Sequence, residues 1–242
     1  DSKFIGKDAH ELAGCSKKGI KISNDLINAA KHSEAFIDFS SIESTLHASE
    51  ISAQARIVHV IGTTGFSIEQ EEIIKAAARH ATVIKSGNMS LGINILLGVV
   101  QNITKLVDDN WAIEISEIHH KEKKDHPSGT ALALGASVAK GKKIDLEENK
   151  VIDDPIIDAV DINLTKIRKN VVRKKDDIGF SSYRKDGVIG DHSVIFSSEN
   201  ERIALTHIAK NRNIFANGAL KAALWGQNKK PGLYSMQDVL GF

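Results

Sequence analysis

Ile57-Val58-His59-Val60-Ile61 is a short apolar run that stops at the turn Gly62-Thr63-Thr64-Gly65. Five residues rich in β-branched side chains and closed by glycine read as a strand. Just downstream, Ser67 and Gln70 stand at the spacing of a capping box, and Ile73, Ile74 and Ala77 form the apolar stripe of a helix. Thr82-Val83-Ile84 is the next strand and runs into Ser86-Gly87-Asn88-Met89. The same alternation holds upstream: Ala35-Phe36-Ile37-Asp38-Phe39 is a strand, and Ser40 with Glu43 starts a helix reaching about Ala53. Strands separated by helices at this spacing imply right-handed crossovers and a parallel, doubly wound α/β sheet.

After Leu91 the pattern changes. Leu91 to Val107 is nearly all apolar, but Asn94, Gln101, Asn102 and Lys105 interrupt it. It therefore reads as a buried helix and falls short of the ~18 apolar residues of a membrane span. Trp111 to Ile115 alternates as a strand with one buried face, and a helix follows Ser128. Val188 to Phe196 and Arg202 to Ile208 alternate around Ser197-Ser198-Glu199-Asn200, which predicts an antiparallel hairpin. Ile214 to Trp225 is a last helix with Gly226 at its C-cap. A helical core followed by mixed sheet predicts a second domain inserted into the first.

Composition narrows the function classes. A net charge of +1 gives no global field for nucleic acid or an anionic membrane. The densest basic stretch, Lys166 to Lys175, reads as a solvated face, with an anion-binding patch as the alternative. A nucleic-acid module built on it would lack interleaved aromatic residues. The single cysteine, Cys15, excludes an intramolecular disulfide and fits a reducing cytosol. Asp1-Ser2-Lys3 leads into no apolar signal region. The expectation is a cytoplasmic protein with neither nucleic-acid nor membrane partner.

Chemistry concentrates in Glu117-Ile118-His119-His120-Lys121-Glu122-Lys123-Lys124-Asp125-His126-Pro127-Ser128-Gly129-Thr130-Ala131. It reads as a strand end, a polar loop and a helix start, and loops beyond strand C-termini are where α/β proteins bind ligands. The loop offers imidazoles and ammonium groups that can donate protons or hold carboxylates. Ser128-Gly129-Thr130 adds hydroxyls and free amides at the positive end of a helix. Adjacent histidines point apart and no cysteine is near, so a metal site is not expected. A serine triad lacks its glycine-flanked elbow. A capped polar loop without chemistry remains open on residue types alone.

This segment resembles the signature loop of the 4-hydroxy-tetrahydrodipicolinate (dihydrodipicolinate) reductase family, Glu-x-His-His-x-x-Lys-x-Asp-x-Pro-Ser-Gly-Thr-Ala, with every fixed position met and His126 the one unusual choice. Ile61-Gly62-Thr63-Thr64-Gly65-Phe66, Ser86 to Asn94, Ile189-Gly190-Asp191-His192, Thr206-His207 and Phe215 to Ala219 are similar to family stretches in the same order. The resemblance implies a Rossmann-like cofactor domain at 1–90 and 212–242, interrupted by an α+β substrate and tetramerisation domain at 91–211. It implies an oxidoreductase of diaminopimelate and lysine biosynthesis that uses NADH or NADPH on a small cyclic dicarboxylate, and a homotetramer. By the same resemblance His119 and Lys123 are expected to be catalytic, and His120, Ser128, Gly129 and Thr130 to hold the substrate. Gly62, Thr63, Thr64, Ser86, Gly87, Asn88, Met89, Arg212 and Phe215 are expected at the cofactor. A reductase of another dicarboxylate and a binding-only relative are the alternatives.

Two departures stand out. No Gly-x-Gly-x-x-Gly turn occurs, so the first βαβ unit of a dinucleotide fold, with its adenosine-ribose contacts, is expected upstream of Asp1. Between Ile144 and Asp177 the family's arginine- and glycine-bearing loop is not recognisable, and 153–175 reads as an insertion in the tetramer-forming sheet.

Overall fold

A computed structural model describes residues 2–158, 162–165 and 174–242, so most of the basic stretch 166–175 lies outside the described residues. In chain order the elements are α1 (Ala9–Leu12), α2 (Leu26–Lys31), β1 (Ala35–Asp38), α3 (Ile42–Ala55), β2 (Val58–Ile61), α4 (Ile68–Ala77) and β3 (Thr82–Lys85). There follow α5 (Leu91–Thr104), β4 (Ala112–His119), α6 (Gly129–Lys142), α7 (Leu146–Asn149), β5 (Lys150–Ile152), β6 (Ile156–Ile157) and β7 (Ile178–Arg184). The chain ends with β8 (Asp191–Ser197), β9 (Arg202–Ile208), α8 (Asn213–Gly226), β10 (Gly232–Tyr234) and α9 (Met236–Leu240). Two compact units result: Asp1–Ser86 with Leu220–Ser235, and Gly87–Ala219 with Met236–Phe242.

The first unit is a parallel sheet in the order β1-β2-β3-β10. Val58 to Ile61 are buried throughout, as a central strand covered on both faces requires. Ile61, Ile74, Ala78, Ala81 and Val83 form one core cluster, with Leu46 and Phe66 against it. The capping box of α4 forms in full between Ser67 and Gln70. The start of α3 differs from expectation. Its N-cap is Ser41, which accepts from the amide of Ser44, because the Ser40 hydroxyl is taken by Asp38 Oδ1 at 2.5 Å. Extended backbone at Ser41 then fits the cap.

The second unit is a mixed sheet in the order β5-β7-β4-β8-β9, with β6 also paired to β7. β4 runs parallel to β7 and antiparallel to β8, and the β8–β9 hairpin forms as expected. β4 is longer than the predicted strand and is buried on both faces: Ile113 and Ile115 lie under α5 and α6, and on the other face Glu114 accepts from Ser181 Oγ at 2.6 Å. On one face Ile113, Ile115, Ile178, Phe180, Val194 and Phe196 pack beneath α5 and α6 through Leu96, Val100, Leu134 and Val138. Gly141 brings those helices together: a Cβ there would sit 2.7 Å from Thr104 Cβ. Ser90 caps α5 and Ser128 caps α6. No helix among the described residues is long and apolar enough to cross a membrane.

Candidate active site

Successive residues of a strand point to opposite faces, so Glu117 and His119 share the face that Ile113 and Ile115 give to the core. Register extends the change from apolar to polar across the sheet. Glu117 pairs with Ser182 on β7 and His192 on β8, His119 pairs with Arg184, and His192 pairs with His207 on β9. One sheet face is therefore greasy under the helices and ionisable towards the end of β4.

Glu117 is 1% exposed and Arg184 2% exposed. Arg184 Nη1 donates to both carboxylate oxygens of Glu117, at 3.1 and 3.2 Å. Burial works against ionisation of Glu117, but the hydrogen bond and charge of His119, with the guanidinium, outweigh it and hold the carboxyl below its usual range. An ionised carboxylate only accepts, so His119 Nδ1 is the donor in its contact with Glu117 Oε2. His119 meets His192 edge to face at 5.1 Å. His192 Nε2 pairs with Ser128 Oγ at 3.0 Å, and that oxygen also accepts the Ala131 amide as the α6 cap. Burial, and then the nearby His119, push His192 down to about 3. Among the described residues, Nδ1 of His192 and of His207 is buried with no hydrogen-bond partner, an exception to the rule that buried polar groups are paired.

His119, Thr130, Asn88 and Phe215 line one cavity together with Gly190, His192 and His207. It encloses about 50 Å³, enough for the reacting edge of a ring but not the whole of it. Asn88 Nδ2 donates to Thr130 Oγ1 at 3.1 Å, which ties the 87–89 turn to the first turn of α6. Gly129 and Thr130 open that helix, whose first amides have no partner within it. Around Gly129 the space is open: a Cβ would meet nothing within 4 Å.

The other expected residues lie outside this cavity. Lys123 is held by Asp125 at 2.8 Å and His120 by Glu122 at 2.8 Å, both in the loop after β4. Met89 is 1% exposed and Arg212 lies exposed before α8. Sequence reasoning assigned no role to Glu117, Arg184, Gly190, His192 or His207. Four of them, all but Arg184, stood in the stretches similar to the family; Glu117 shares β4 with His119, and strand register brings the others to the site.

In the first unit Gly62 to Gly65 follow β2 and Ser86 follows β3. The strands are parallel neighbours, and the Ser86 amide donates to Ile61 O at 3.1 Å. Both turns thus emerge at the carboxyl ends of adjacent parallel strands, the usual place for a nucleotide in such a sheet. A Cβ at Gly62 would run into the Phe39 ring, and Thr63 Oγ1 accepts from Thr45 at 3.0 Å. These tight, hydroxyl-bearing turns fit a nicotinamide cofactor. Among the described residues no group of acidic, histidine or cysteine side chains is arranged to hold a metal ion.

Comparison with known proteins bears on the whole chain. Residues 1–89 match the family model "Dihydrodipicolinate reductase, N-terminus", and residues 92–240 match "Dihydrodipicolinate reductase, C-terminus". The 4-hydroxy-tetrahydrodipicolinate reductase of Parvibaculum lavamentivorans is 50% identical over 242 residues, covering 99% of this chain and 84% of that protein. That of Rhizobium rhizogenes is 49% identical over 243 residues, with 99% and 84% covered. Among solved structures, the dipicolinate-bound dihydrodipicolinate reductase from Paenisporosarcina sp. TG-14 superposes with a TM-score of 0.70 at 20% identity, covering 96% of this chain and 84% of that one, and so shares the fold. Sheet order, the polar end of β4 and identity along both halves lead to one conclusion: this chain belongs to the dihydrodipicolinate reductase family.

Proposed function

We propose that this chain is an oxidoreductase that reduces 4-hydroxy-tetrahydrodipicolinate to tetrahydrodipicolinate with NADH or NADPH, in the cytosolic route to diaminopimelate and lysine. The observation that carries the reading is the cavity where His119, at the end of a buried strand, faces Thr130 at the start of α6. A proton donor and a helix N-terminus at one small cavity suit a ring that carries carboxylates and gains a proton.

Gly62, Thr63, Thr64, Ser86, Gly87, Asn88, Met89, Arg212 and Phe215 would hold the cofactor. Tight turns of this kind offer amides and carbonyls to a carboxamide and a ribose. When bound, the nicotinamide supplies hydride to the ring. The second unit would hold the substrate. His119 donates the proton, and Lys123 is the second acid and carboxylate partner once released from Asp125. His120, Ser128, Gly129 and Thr130 bind the remaining carboxylate and fix the ring. The expected domains at 1–90 with 212–242 and at 91–211 are read as these two roles. The compact units themselves divide at Ser86 and at Ala219, and the last seven residues join the second.

The test is oxidation of NADH and of NADPH by the purified protein when the substrate is generated in the cuvette by its upstream synthase. Substrate-dependent oxidation of either cofactor is the expected result. Its absence with both, in a protein that still binds a pyridine dicarboxylate, favours a binding-only relative and removes the assignment.

A further inference from the structure

Arg184 makes an unusual set of contacts for a side chain 2% exposed. Besides Glu117, its Nη1 donates to Tyr183 O at 2.6 Å, Nε to Lys123 O at 3.2 Å and Nη2 to Asp125 O at 2.8 Å. One guanidinium therefore grips the carboxylate behind His119 and the backbone of the loop that carries Lys123. A buried arginine–glutamate pair rarely stabilises a fold more than a well-packed apolar pair would. Its use must then lie in geometry. With Nδ1 of His119 committed to Glu117, the second ring nitrogen is the one left for chemistry. Gly190 leaves that nitrogen uncovered, since a Cβ there would stand 2.7 Å from His119 Nε2.

We infer that Glu117 and Arg184 are positioning residues: Glu117 commits Nε2 of His119 to the proton transfer, and Arg184 fixes both that carboxylate and the Lys123 loop. The inference rests on the reading of His119 as the proton donor. It assigns neither residue a contact with substrate; both act through their neighbours. Glu117 and His119 stand two apart on one strand, so the pair needs no loop to assemble it.

Glu117→Gln keeps the shape and removes the obligatory acceptor. Expected is a fall in kcat of ~10-fold or more, within the span of general-acid effects, with KM for the ring substrate little changed. Glu117→Asp recovers part of the loss. In ¹⁵N spectra of the neutral imidazole ring, wild-type His119 carries its proton on Nδ1, so the second proton of the imidazolium, the one given to the substrate, enters and leaves at Nε2; Glu117→Gln gives a mixture of tautomers. In a His119→Gln background, itself expected to lose ~10²-fold, adding Glu117→Gln changes kcat no further. Arg184→Lys keeps the charge but cannot span both carbonyls, and is expected to raise KM as the loop loosens while thermal unfolding stays cooperative.

Wild-type kcat in Glu117→Gln, or full multiplication of the two losses in the double variant, overturns the inference while the assigned reaction stands. An unchanged ring spectrum in Glu117→Gln overturns it whatever the turnover shows. Full turnover in His119→Gln alone overturns the reading of the site itself, and the inference with it. Unchanged KM and kcat in Arg184→Lys remove Arg184 from the assembly.

Discussion

At the scale of single residues, the site depends on which groups stay charged. Lys123 is bound to Asp125 on a loop that is largely exposed, so that ion pair contributes little to stability and is free to exchange for a substrate carboxylate. Lys123→Ala is expected to weaken binding of a pyridine dicarboxylate ~10-fold, the scale of one charged hydrogen bond, with turnover falling as well. Unchanged affinity in calorimetry would leave that carboxylate to another cation. His192 behaves in the opposite way. It is buried as the neutral ring, pushed down to about 3, against about 6.5 for an unfolded histidine. The unfolded chain takes up a proton in this window that the folded chain refuses. Stability from this residue is therefore complete above pH 6.5 and falls below it by up to about 1.4 kcal/mol per pH unit. Urea titrations at pH 6.5 and 5 should show wild type losing about 1.6 kcal/mol more than His192→Gln over that interval. Equal losses would mean that His192 gains its proton in the folded state. His119 and Thr130 were legible in the sequence because one continuous segment carries them. Arg184, Gly190, His192 and His207 were not, because strand pairing across 60 to 90 residues brings them in and no local pattern marks that.

Elements show a similar division. β1, β2, β3 and the β8–β9 hairpin were readable from apolar runs and their closing turns, and α4 from its capping box. The cap of α3 was misread by one residue: Ser40 and Ser41 are equivalent by type, and only the reach of Asp38 decides between them. β4 was read as half-exposed because Trp111 to Ile115 alternates, yet Glu114 and Ser116 on its second face are buried too. Helix crossings were not legible at all. Gly218 in α8 lies against the backbone carbonyl of Met89, so an added methyl would meet main chain that cannot swing aside. Gly218→Ala is expected to lower stability by about 1–3 kcal/mol, the usual range for overpacking. It should also displace the 87–89 turn and weaken cofactor binding through Asn88. Thermal unfolding and a cofactor titration check the two effects separately. Loss of stability with cofactor affinity intact would detach the turn from that role.

On the scale of the molecule, β9 ends the mixed sheet, and among the described residues no strand pairs with its outer side. Edge strands in proteins that stay monomeric are usually short, bulged, or guarded by charge or proline. β9 runs for seven residues, with Arg202 at one end as its only charged side chain other than histidine, and Ile203 and Ile208 are 38% and 59% exposed. Such an edge suits self-association through continued or facing sheets, in keeping with the homotetramer that family resemblance implies. Light scattering is expected to give a mass near four times 26.3 kDa. Ile208→Lys places a charge that a monomer leaves in water but an assembly through this strand must bury without a partner. The variant should therefore shift to smaller species at unchanged helix and sheet content. A mass that stays fourfold in Ile208→Lys would move the interface to another part of the sheet, and a monomeric wild type would leave β9 as an edge held apart by means other than its sequence.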